Sequence, residues 1–162
     1  MCATHDLKTE HGTQIAYQRI KGKGPVVVFL PSLMRDMEGG KAVALEVWCK
    51  AEGRAFVRFD YQGHGISEGK FVDGTIGLWA KDALAVIDQL SEGPQIIVGS
   101  SMGGGISLLA AVARPGRVKA LVGLASAQDF TVRMWLQEVD DATRPEHVAT
   151  DHMTRPSDWG GA

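Results

Sequence analysis

Four short, almost uninterrupted apolar runs punctuate the chain. They are Val-Val-Val-Phe-Leu at 26–30, Ala-Phe-Val-Arg-Phe at 55–59, Gln-Ile-Ile-Val-Gly at 95–99 and Lys-Ala-Leu-Val-Gly-Leu at 119–124. Runs of this length, rich in β-branched residues, fit strands buried on both faces, as in a parallel sheet. The segments between them switch to a helical period. At 41–52, Val43 and Val47 with Ala44, Trp48 and Ala51 mark one face, and Gly53 stands where a helix end favours a positive φ. Thr75 can cap a second helix that shows Ile76, Trp79, Ala80, Ala83, Ile87 and Leu90 on one side and ends at Gly93-Pro94. A third, at 102–113, is apolar and rich in small residues and stops at Arg114-Pro115-Gly116. Ahead of all this, 7–17 reads as a hairpin turning at His11-Gly12-Thr13.

Strands alternating with helices predict an α/β fold, a mostly parallel sheet with helices on both faces. Past Asp129 the pattern fails, and the polar stretch that follows is broken by Pro145 and Pro156. The expected organisation is a core over 1–130 and a cap-like or irregular segment over 131–162. With no further strand in sight, the sheet is expected to end on an exposed edge, which invites self-association.

Composition narrows the function classes. Of 162 residues, 44% are apolar, enough for a buried core. The net charge of -2 gives no concentrated basic face, so nucleic acid is not expected as a partner. The apolar runs are strand-sized, so no membrane span is expected. Two cysteines, Cys2 and Cys49, offer neither a bridge framework nor metal-ligand spacing. With no secretory or mitochondrial leader pattern in the opening residues, the expectation is a cytoplasmic protein with unpaired thiols and no bound metal.

The pattern G-x-S-x-G occurs twice, at Gly65-Ile66-Ser67-Glu68-Gly69 and at Gly99-Ser100-Ser101-Met102-Gly103. In a chain with 20 glycines the five letters decide nothing by themselves. A nucleophile elbow needs a strand running into the serine and a helix running out, with small residues two positions either side because the turn is tight. Only the second copy has that context. The first lies in a loop. Ser101 is therefore the candidate nucleophile, with Gly99 and Gly103 as the elbow glycines. An acyl-transfer serine also needs donors for the oxyanion. The Met102 N–H, just after the nucleophile, is one candidate. The Leu33 N–H, in the loop after the first central strand, is the other.

Three blocks together resemble an α/β hydrolase: residues 29–42, residues 58–67 (Arg-Phe-Asp-Tyr-Gln-Gly-His-Gly-Ile-Ser) and residues 99–104. More narrowly they resemble bacterial relatives of the mitochondrial palmitoyl-protein thioesterase that also cleaves mycophenolic acid acyl-glucuronide. The likeness runs from about Leu7 to Phe130 and resumes at 155–159 as a cap segment. The resemblance implies a Ser–acid–His triad that hydrolyses small-molecule carboxylic esters or thioesters with no cofactor. It also implies that His64, Ser67, Asp60 and Tyr61 stabilise loops rather than act as base or nucleophile.

Two departures from the family pattern stand out. The family's His-Gly is replaced by Pro31-Ser32, and a Cβ at Ser32 crowds the oxyanion loop. The acid and histidine of the family follow two further strands, so they are expected beyond the chain end. After Ser101 the chain offers Asp129, Asp140, Asp141, Asp151 and Asp158, with His147 and His152. Asp129, just past the fourth central strand, stands where some hydrolases of this fold place the acid. Two other readings stay open: a non-catalytic domain of this fold that binds an acyl ligand or a protein partner, and another chemistry on the same fold, such as haloperoxidase.

Overall fold

A computed structural model describes residues 3–129 of the chain. Six strands form one sheet: β1 (Thr4–Lys8), β2 (Gln14–Ile20), β3 (Lys23–Leu30), β4 (Arg54–Phe59), β5 (Gln95–Ser100) and β6 (Val118–Leu124). Three α-helices connect the later strands: α1 (Gly40–Ala51), α2 (Ile76–Gln89) and α3 (Met102–Ala113). The predicted hairpin is β1–β2, antiparallel, and β2 pairs antiparallel with β4. From β4 onward every pairing is parallel, in the order β4-β3-β5-β6. This is the expected α/β-hydrolase arrangement of a mostly parallel sheet with crossover helices.

The strand order matters for function. β3 leads through α1 to β4 on one side, whereas β5 and β6 lie on the other side of β3. The chain reverses direction there, and in open α/β sheets ligands bind in the crevice at the carboxyl ends of the strands flanking that switch point. The loops after β3 and β5 are therefore the place to look for chemistry.

The pleat sorts the core into two layers. Val27, Phe29, Phe56 and Val98 pack with Ala42 and Cys49 of α1. On the helices α2 and α3, Ala83, Val86, Ile87, Ile106 and Ala110 are buried. Thr75 caps α2 as expected, its hydroxyl accepting from the Leu78 N–H at 3.1 Å. Gly53 follows α1 with φ +63°.

Three expectations need correction. The buried face of α1 is Ala42 and Cys49, with Leu45 beside them, whereas Val47 and Trp48 are 64% and 48% exposed. The Trp48 side instead borders an apolar groove formed with Val27, Phe29, Ile96, Val98, Val122 and Leu124 of the sheet. Second, β3 starts at Lys23 rather than after Pro25. Lys23 pairs with Arg54, and the register shifts before Val27. Third, β6 is mostly exposed, because it is the edge of the sheet among the described residues. The cap-like segment expected at 131–162 lies outside the described residues.

Candidate active site

β5 ends on Ser100, and α3 begins on Met102. Ser101 alone makes the turn, with φ +50° and ψ -116°, a backbone conformation unusual for a residue with a Cβ. The turn is over-determined by its main chain. The Ser101 N–H donates to Leu124 O at the end of β6 (3.0 Å), and its carbonyl accepts from Gly104 N–H (2.9 Å) and Ala127 N–H (3.0 Å). The helix it caps makes no use of its side chain. The hydroxyl is thus left free of hydrogen bonds to the described residues, at the positive end of a twelve-residue helix.

The glycines either side are there because nothing larger fits. A Cβ on Gly99 would lie 2.3 Å from Gly103 O, and one on Gly103 would lie 2.2 Å from Leu30 O. Both obstacles are backbone, so neither can swing away. The other G-x-S-x-G copy is a loop, as expected. Ser67 Oγ donates to Asp60 O (2.7 Å) and accepts from the Ala16 N–H (2.8 Å), which stitches the 60–69 loop to β2.

The loop after β3 faces the elbow across the switch point. It is pinned at three places. Ser32 Oγ donates to Ser100 Oγ at 3.1 Å, so the Cβ that threatened to crowd the loop instead ties it down. The Met34 N–H donates to His64 Nε2 at 3.2 Å, and the Met37 N–H donates to Asp60 Oδ1 at 2.6 Å. Met34 sits at φ +54°, which those anchors hold in place. Between them, the Leu33 N–H has no acceptor among the described residues, and neither has the Met102 N–H at the first position of α3.

His64 therefore acts as an acceptor, and its other nitrogen, Nδ1, lies 3.2 Å from the Gln62 carbonyl to which it donates. Burial among Tyr61, Phe71 and Trp79 pushes its pKa below the ordinary histidine range, against the opposing pull of the Gln62 carbonyl. This is a neutral, structural histidine, as the sequence implied. Burial raises the Asp60 carboxyl above its usual range, opposed by the Ile66 and Met37 N–H groups that it accepts. Tyr61 is wholly buried, which holds its hydroxyl well above the phenol range. His64 and Asp60 thus spend their polar atoms on the two loops, and Tyr61 is sealed from solvent.

Beneath the loop, the guanidinium of Arg58 gathers Glu46 (2.6 Å), Glu38 (3.0 Å), the Gln18 side-chain oxygen (2.8 Å) and the Met37 carbonyl. A lone arginine inside an apolar strand carries no local sign of these partners in the sequence. Of the acid and base candidates, Asp129 is exposed at the end of the described residues. Asp140, Asp141, Asp151, Asp158, His147 and His152 lie outside the described residues.

A serine on a strained strand-to-helix turn at the switch point of a parallel sheet defines an α/β hydrolase. The comparisons agree. The family described as Serine aminopeptidase, S33 matches residues 38–151, and the chain belongs to it. The chain is 50% identical over 126 residues to the rat (Rattus norvegicus) protein named palmitoyl-protein thioesterase ABHD10, mitochondrial, a match covering 78% of this chain and 42% of that protein. Among solved structures it resembles alpha/beta hydrolase domain-containing protein 10 from mouse, at 43% identity and a TM-score of 0.88, covering 97% of this chain and 62% of that one. It also resembles Est1E from Butyrivibrio proteoclasticus, solved with ferulic acid bound, at 26% identity and a TM-score of 0.76, covering 83% and 57%.

The chain thus spans about two fifths of the length of the curated relatives it matches. One expectation falls here. The relatives carry a mitochondrial designation, which contradicts a cytoplasmic assignment. Unpaired thiols are compatible with any reducing compartment, so they could not choose between the two.

Proposed function

We propose that the protein hydrolyses carboxylic esters or thioesters of small molecules through an acyl-enzyme on Ser101. Ser101 Oγ attacks the acyl carbonyl and forms a C–O bond. The alcohol or thiol leaves with the proton that a base took from Ser101. Water then attacks the acyl-enzyme and releases the acid. The Leu33 and Met102 N–H groups receive the negative charge that grows on the carbonyl oxygen at both steps. The acid and the histidine of the triad come from residues outside those described here.

The observation that supports this reading best is the Ser101 turn itself. A non-glycine residue stands at φ +50° at a cost in stability, its hydroxyl bonds to nothing described, and two unclaimed N–H groups lie on the loop after β3 and at the start of α3. The name of the rat relative favours thioesters, and the ferulic acid bound to Est1E favours carboxylic esters. Pre-steady-state kinetics test the proposal. The protein expressed from its own gene should release a burst of p-nitrophenol from p-nitrophenyl butyrate equal to one per chain, and Ser101→Ala should show none. A burst that survives in Ser101→Ala, or is lost in Ser67→Ala with the fold intact, overturns it.

A further inference from the structure

Ser100 is fully buried directly before the candidate nucleophile, and its hydroxyl receives two donors from two other elements. One is Ser32 Oγ of the loop after β3, at 3.1 Å. The other is Lys41 Nζ of the first turn of α1, at 3.0 Å. We propose that Lys41 is a positioning residue for the reaction: through Ser100 and Ser32 it locks the loop that carries the Leu33 N–H onto the elbow. This rests on the reading of Ser101 and Leu33 given above.

Lys41 is otherwise badly placed. It is the second residue of α1, where the helix dipole is positive, and no acidic residue shares that first turn to offset it. No carboxylate among the described residues pairs with it, whereas Arg58 and Arg114 each hold one. An ammonium has only donors to offer, so Ser100 must accept from it. A charged donor makes that hydrogen bond stronger than one between neutral groups. Lys41 itself is exposed, yet it directs one of its three N–H donors to a buried neutral hydroxyl next to Ser101 rather than to a carboxylate.

The geometry explains what the bond is for. Ser32 directly precedes Leu33. The three tied residues come from the end of β5, the loop after β3 and the start of α1, so the ammonium clamps three elements at one point. A cavity of about 300 Å³ opens beside the clamp, lined by Phe29, Pro31, Ser32, Arg35, Lys41 and Ser100 among others. With open space on that side, packing alone does not fix the loop. An oxyanion donor displaced by about an ångström loses much of its value, so the tie acts on the chemical step rather than on binding.

The test pairs two readouts on wild type, Lys41→Met, Lys41→Arg, Ser100→Ala and the control Lys50→Met. The first is amide hydrogen exchange over residues 31–37, which needs no catalysis. The second is the split between kcat and KM for p-nitrophenyl butyrate. Lys41→Met and Ser100→Ala should speed loop exchange and lower kcat about 10-fold or more, with KM within about 2-fold, the signature of an interaction made in the transition state. Lys41→Arg should recover most of both, and Lys50→Met should change neither. Unchanged loop exchange in Lys41→Met overturns the tie. A loosened loop with wild-type kcat overturns its role in the reaction. If wild type itself shows no turnover that depends on Ser101, the functional reading has failed, and the exchange data still decide whether the tie exists.

Discussion

Replacing Ser101 with glycine and, separately, with alanine isolates the strain at the elbow. Both substitutions remove the hydroxyl, so they differ only in the Cβ at φ +50° and ψ -116°. A residue with a Cβ held in so sparse a region costs ~1–3 kcal/mol. Glycine gives back ~0.5–1 kcal/mol through the greater freedom of its unfolded chain. Ser101→Gly should therefore be more stable than Ser101→Ala by up to about 2.5 kcal/mol. In thermal unfolding that is a rise of ~2–4 °C per kcal/mol for a chain of this size. The internal control is Ala80→Gly within α2, where the same exchange should cost ~1 kcal/mol. Opposite signs at the two positions are the expected outcome. A Ser101→Ala protein as stable as Ser101→Gly, or more so, would refute the claim that this turn is held under strain.

Gly103→Ala forces its Cβ to 2.2 Å from Leu30 O, and overpacking against backbone should cost ~1–3 kcal/mol or more, read as a lower urea midpoint. Arg58→Met strands the half-sequestered Glu46, 15% exposed, without its cation, a loss of ~3–5 kcal/mol, part of which Glu46→Gln should restore in the double variant. His64 is kept neutral by burial, so as pH falls the unfolded chain takes the proton first. The stability it provides is full above the ordinary histidine value of 6.5 and is lost as pH falls from there toward its lower native value. Unfolding free energy measured between pH 7 and 5 should fall less steeply in His64→Gln than in wild type; equal slopes would remove His64 from the account.

Much of the candidate site was legible because a strand-to-helix elbow announces itself in the flanking periodicity. The Gln95–Ser100 strand runs into Ser101 and the Met102–Ala113 helix runs out of it, so the local pattern and the fold agree. That same context separated Ser101 from Ser67. The face of α1 was not legible. Counting large apolar residues favours Val47 and Trp48, yet the face buried against the sheet is that of Ala42 and Cys49, and periodicity alone does not say which of two partly apolar faces turns inward. Nor could periodicity reveal Arg58, Asp82 or Gln95 inside apolar stretches. Each is kept buried by at least one partner distant in sequence: Glu38 and Glu46 for Arg58, the Gln62 N–H for Asp82, and the Ile87 carbonyl for Gln95. Ser32 shows the same limit from the other side. Read alone it was a steric departure from a family pattern, and only its contact with Ser100 turns it into a tether.

The most direct test of the central claim is covalent labelling with a fluorophosphonate, which reacts with an activated serine, followed by peptide mass mapping. In the protein expressed from its own gene, a single phosphonyl adduct should form on Ser101, abolished in Ser101→Ala and retained in Ser67→Ala. An adduct elsewhere, or a folded protein that takes up none, would contradict it.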